Sequence, residues 1–230
     1  MTAGIFDLAV ISLLKFKNSD TVKDEETMII FDWDDTLYPT TWIKYNRDLL
    51  RNPSCMDENI LNTFKQLADQ IIYIITKAQI YGKVFIITNA QEVWIKESCS
   101  LIPEVIPFLK NINIISTQDK WKYINPNPEK WKELEFKQIA NNFIKSNKKI
   151  IKFICIGDSV LEHDAVKTAS SIINATKEYI AYTKNFVFRI QPTFEQILIQ
   201  VNNMSHYLYK NKDNMITDMK SHIIQIPYEI

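Results

Sequence analysis

Two carboxylates and a hydroxyl stand two residues apart at Asp32, Asp34 and Thr36, directly after the apolar run Met28-Ile-Ile-Phe. A carboxylate can serve as a nucleophile, as a general acid or base, or as a ligand to a hard divalent cation. If the apolar run is a buried strand, Asp32 falls at its C-terminal tip, where open α/β sheets bind their ligands. Asp34 and Thr36 then follow within reach of the same substrate group. A second apolar run, Ile151-Lys-Phe-Ile-Cys-Ile, ends in Gly157-Asp158 with Glu162 four residues further on. A third, Val84-Phe-Ile-Ile, ends in Thr88-Asn89 and brings a hydroxyl and an amide to the same kind of position.

The elements that must position these residues alternate along the chain. Apolar runs at Met28–Phe31, Val84–Thr88, Ile112–Ser116, Ile150–Ile156 and Phe186–Ile190 have the length of buried strands. Between Glu58 and Tyr81 the apolar positions Leu61, Phe64, Ala68, Ile71, Ile75 and Ala78 recur at helical spacing, with Gly82 as a stop signal. A second helix is expected to open at Asn127-Pro128 and to carry Phe136, Ile139, Ala140 and Phe143 on one face. Helices from Ser159 and from Thr193 each carry a capping-box pattern, Ser159 with Glu162 and Thr193 with Gln196. Strand alternating with amphipathic helix is the pattern of a doubly wound α/β fold, a parallel sheet covered on both faces. Residues 1–27 read as an amphipathic segment and polar linker, 28–210 as the catalytic domain, and the tail from 211 as peripheral.

Taken in order, these motifs resemble those of the haloacid dehalogenase (HAD) superfamily. The resemblance covers Met28 to Leu208 and implies a Rossmann-like core with a magnesium ion as cofactor. In its terms Asp32 is the nucleophile that forms an aspartyl-phosphate and a magnesium ligand. Asp34 is the general acid and base, with its main-chain carbonyl at the metal, and Thr36 helps to hold the loop. Thr88 and the Asn89 amide donate to the phosphate. Lys132, early in the helix that opens at Asn127-Pro128, offsets the charge of nucleophile and phosphate, although Lys130 and Lys137 are close neighbours. Asp158 is a further magnesium ligand. Glu162 stands where an Asp is commoner, and it suits the capping box with Ser159 as well as a supporting place beside the metal. HAD proteins select substrates with inserted cap domains, but neither Tyr38–Asp57 nor Asn89–Trp131 is long enough for a full cap. The resemblance therefore implies a magnesium-dependent phosphatase with an open site, suited to a phosphorylated macromolecule such as a phosphoprotein, with Trp42, Tyr45 and Arg47 as candidate contacts. A non-catalytic HAD-like structural or binding subunit is the alternative.

Bulk properties narrow the choices. At 230 residues the chain suits one domain. Lys plus Arg balances Asp plus Glu at 27 each, so no global field favours nucleic acid or an anionic membrane. The three cysteines, Cys55, Cys99 and Cys155, are odd in number and widely spaced, which suits a reducing compartment and a cytoplasmic location. The apolar stretch Ile5–Phe16 is too short to span a membrane and is interrupted by Asp7; it reads as a packed amphipathic segment, with a targeting element as the alternative.

Overall fold

The computed structural model describes residues 24–210 and 222–229. The expected amphipathic segment Ile5–Phe16 lies outside them. Six strands, β1 Glu25–Phe31, β2 Lys83–Thr88, β3 Asn113–Ser116, β4 Ile150–Gly157, β5 Ile180–Val187 and β6 His222–Gln225, form one sheet in the order β3-β2-β1-β4-β5-β6. Every pairing is parallel, so each connection must cross back over the sheet and helices cover its faces. The result is a Rossmann-like α/β architecture.

Side-chain alternation on the central strand explains the two layers. Ile29 and Phe31 point into one core, with Phe64, Leu67 and Ile71 of α3 (Glu58–Ala78) and Ile197, Val201 and Met204 of α9 (Phe194–Lys210). Met28 and Ile30 point the opposite way, against Phe136 and Ala140 of α7 (Trp131–Ile144) and Ala165 and Ala169 of α8 (Val160–Ala175). Between the long helices lie shorter ones, α1 Thr40–Tyr45, α2 Arg47–Arg51, α4 Glu92–Ser98, α5 Ile106–Leu109 and α6 Thr117–Trp121. The segments expected to be too short for a cap consist of these short helices, 3-10 turns and β3. None of the helices among the described residues is long and apolar enough to cross a membrane.

Several expectations shift in detail. The fifth strand occupies Ile180–Val187 rather than Phe186–Ile190, because its interior carries buried polar residues, Thr183, Lys184 and Asn185, that interrupt the apolar pattern. The tail expected to be peripheral contributes the edge strand β6, and Ile226 just beyond it is buried. The domain also begins earlier than Met28, since β1 starts at Glu25. Helix α7 starts at Trp131, preceded by a 3-10 turn at Pro128–Lys130 in which the Asn127 side chain accepts from the Glu129 amide. Leu61, read as part of the buried face of α3, is about half exposed. Gly82 is required less as a helix stop than by proximity, since a Cβ there would lie 2.3 Å from the Thr27 carbonyl oxygen.

Candidate active site

The chain runs from β1 to β2 on one side and later returns to place β4 on the other, so the strand order reverses between β1 and β4. Ligand crevices in open parallel sheets form at this switch point, outside the carboxyl ends of the strands. Asp32 follows β1, and its amide donates to the Ile156 carbonyl of β4 at 2.9 Å. Asp158 follows β4. The two aspartates singled out from separate apolar runs therefore stand just beyond the carboxyl ends of adjacent parallel strands, at the switch point.

The loop after Asp32 is held by its own backbone. Leu37 and Tyr38 both donate to the Trp33 carbonyl, at 3.0 and 2.9 Å, and the Asp35 amide donates to the Tyr38 carbonyl at 2.8 Å. Asp35 sits at φ 53°, a left-handed conformation that Asp tolerates better than most residues. Its carboxylate accepts from the Thr41 amide at 2.7 Å and from the Thr41 hydroxyl, which docks α1 on the loop. Thr36, expected to help hold the loop, donates its amide to the Trp33 carbonyl at 3.4 Å, while its buried hydroxyl has no partner among the described residues. The main chain and Asp35 hold the rest of the loop.

On the β4 side the site is charged. Lys132 projects from the first turn of α7 and is 3% exposed. Its ammonium lies 2.9 Å from Asp32 Oδ1 and also pairs with Glu162 Oε1. Neighbouring Lys130 and Lys137 instead pair with Glu133 in more exposed positions. The start of α7 is fixed from several directions: Trp131 Nε1 donates to the Asn125 carbonyl at 2.7 Å, and buried Glu135 accepts from Trp121 Nε1 at 2.9 Å and pairs with Lys120. Glu162 combines two roles, since its other oxygen closes the capping box with Ser159 at the start of α8. Gly157 is needed for this packing: a Cβ there would meet Glu162 Cγ at 2.8 Å.

Burial pushes the Asp32 carboxyl up, Lys132 opposes this, and Glu162, Asp34 and Asp158 push it up further. Asp158 is pushed up to about 7 by burial and by Glu162. Burial also disfavours charge on Glu162, but Lys132 outweighs it and holds that carboxyl below its ordinary range. Among the described residues, the charges that act most strongly on Asp32 are one cation, Lys132, and three other carboxylates. This surplus of hard oxygen charge suits a divalent cation. Among the described residues no three His, Cys, Asp or Glu side chains form a ready cluster for one. A magnesium ion would draw on Asp32, Asp158, the Asp34 main-chain carbonyl and water.

On the β2 side the site is neutral apart from Asp34. The Asp34 side chain accepts from Thr40 Oγ1 at 2.6 Å and Trp94 Nε1 at 2.8 Å on Oδ1, and from Thr88 Oγ1 at 2.9 Å on Oδ2. Thr88 thus spends its donor on Asp34, while its oxygen accepts from the Ala90 amide at 2.9 Å. The Asn89 side chain is occupied as well, donating to the Pro128 carbonyl at 3.1 Å and accepting from Thr117 Oγ1. Its main-chain amide and the second side-chain N–H are left for the phosphate-binding role expected of Asn89. Trp94 and Thr40 were not legible as site residues; the one available signal is that each lies a few residues beyond a motif-bearing strand tip. Of the candidate contacts, Trp42 packs on Phe64 and Phe194, with ring centroids 6.1 and 5.1 Å away, whereas Tyr45 and Arg47 are exposed.

Fold and site together define an α/β protein of Rossmann-like topology with an acidic, lysine-countered crevice at its switch point. Comparison of the chain with family models, curated proteins and solved structures finds no match.

Proposed function

We propose that this chain is a HAD-type phosphatase, magnesium-dependent and without a large cap, that hydrolyses a phosphate monoester through an aspartyl-phosphate on Asp32. The observation that carries the reading is the buried contact of Lys132 with Asp32 at the switch point, because an ammonium is held there against a carboxylate placed at a ligand-binding crevice. Magnesium, when bound, would offset charge on the phosphoryl group. Asp32 attacks phosphorus, and Lys132 stabilises the charge gathered around it. Asp34 gives a proton to the departing oxygen and later takes one from the attacking water. Glu162 holds Lys132 on station and fixes the start of α8 beside Asp158. With only short helices, 3-10 turns and β3 in the two segments where a cap would be inserted, the favoured substrate is a phosphorylated macromolecule such as a phosphoprotein.

The test is magnesium-dependent release of phosphate from 4-nitrophenyl phosphate by wild type and Asp32→Asn. Release is expected to need magnesium and to fall by about 1,000-fold or more in the variant. An inactive wild type that also fails to bind magnesium with beryllofluoride would overturn the reading.

A further inference from the structure

The two oxygens of Asp34 are held unequally. Among the described residues, Oδ1 accepts from Thr40 and Trp94, and Oδ2 accepts from Thr88 alone. These donors differ in kind. An indole N–H can only donate, whereas a threonine hydroxyl can turn and accept. A proton on Oδ1 would confront the Trp94 N–H, so a proton carried by Asp34 belongs on Oδ2, where Thr88 can receive it.

Trp94 is itself immobilised by a circuit that starts and ends on α4. Its ring meets Tyr38 edge-on at 6.0 Å, Tyr38 stacks on Trp33 at 5.9 Å, and Trp33 Nε1 donates to Ser98 Oγ at 3.1 Å. Ser98, one turn along from Trp94, closes the loop by donating at 2.8 Å to the carbonyl of Ile95, the residue after Trp94. The donor to Oδ1 is therefore built into the same packing that shapes the catalytic loop.

We propose that Trp94 is the positioning residue that makes Asp34 a one-oxygen acid and base, an inference that rests on the phosphatase reading. The indole and Thr40 keep Oδ1 clamped. When a phosphate oxygen claims the Thr88 hydroxyl, Oδ2 alone is freed toward the leaving group. As the bond from Asp32 to phosphorus forms and the bond to the leaving oxygen breaks, the proton on Oδ2 passes to that oxygen. In the second half Oδ2 takes a proton from water as the water oxygen bonds phosphorus and the Asp32 bond breaks. Asp34 ends as it began, and the products are an alcohol or phenol and inorganic phosphate.

Aim at the leaving oxygen matters most when that oxygen is strongly basic. Trp94→Phe keeps an aromatic ring for Tyr38 but has no N–H. Its kcat/KM is expected to fall about tenfold or more for a simple alkyl phosphate and less than about threefold for 4-nitrophenyl phosphate. A loss of equal size for both substrates, or no loss, would overturn the proposal while leaving the phosphatase reading in place. A wild type inactive on both would sink that reading instead, and the indole N–H resonances then decide the clamp. Among five tryptophans, the signal missing in Trp94→Phe identifies Trp94. That signal is expected to move in Asp34→Ala and to keep its place when magnesium and beryllofluoride are added to wild type. A signal indifferent to Asp34→Ala, or one released by beryllofluoride, would overturn the clamp.

Discussion

The two flanks of the loop after β1 are built from opposite chemistries. Toward β4, Asp32, Glu162 and Lys132 are buried charges that satisfy one another. Toward β2, Asp34 is surrounded by neutral donors, two hydroxyls and an indole. Buried charges are costly to separate, since removal of one partner strands the others in a poor solvent. Neutral donors are cheap to keep but directional, because each bond holds only at a narrow range of distance and angle. On the proposed phosphatase reading, the charged flank would supply electrostatic force and the neutral flank aim.

The comparison breaks most sharply at Lys132. Replacing it with Met strands Asp32 and Glu162 together, and stability is expected to fall by about 3–5 kcal/mol in denaturant unfolding, with phosphate release lost. Adding Glu162→Gln to that variant removes one stranded charge. The double variant is expected to regain part of the stability and none of the activity. Full stability in Lys132→Met alone would show that the charges are not mutually dependent.

A smaller effect is expected at Gly157, which carries no charge but determines whether the charged flank can pack. An alanine Cβ there would come within 2.8 Å of Glu162 Cγ and push the carboxylate off Lys132 or Ser159. Gly157→Ala is expected to cost about 1–3 kcal/mol, the usual penalty of overpacking. Thermal unfolding that leaves the variant level with wild type would mean that the helix start yields without loss.

The same contrast explains what was legible in the sequence. Asp32 and Asp158 stand out because each follows an apolar run, interrupted only by Lys152 in the second, and a parallel sheet puts strand tips together. Lys132 could be favoured over Lys130 and Lys137 from its place in the first turn of the helix, but its burial depends on how α7 packs, through Trp131, Glu135 and the α6 segment. The neutral flank left almost no trace. Trp94 sits in a seven-residue helix between exposed Val93 and buried Ile95, and nothing in its spacing says that its indole meets Asp34. Strand β5 was displaced in the reading because Thr183, Lys184 and Asn185 are buried despite their polarity. Strand β6 was missed because four residues in a polar tail carry too little pattern to separate a strand from a loop.

The smallest effect on stability, and the sharpest division between the flanks, is expected from Asp34→Asn. The new amide keeps Oδ1 as an acceptor for Thr40 and Trp94. Its nitrogen donates to Thr88 Oγ1, which has a second lone pair for the Ala90 amide and can turn its own hydrogen elsewhere. Only the Thr88 hydrogen loses its acceptor, so the change amounts to about one hydrogen bond and unfolding free energy is expected to stay within about 1 kcal/mol of wild type. Turnover should nevertheless fall by about 100-fold or more, since an amide neither gives nor takes the proton. A large loss of stability would show that the neutral flank also depends on charge, which would merge the two halves of the site into a single electrostatic unit.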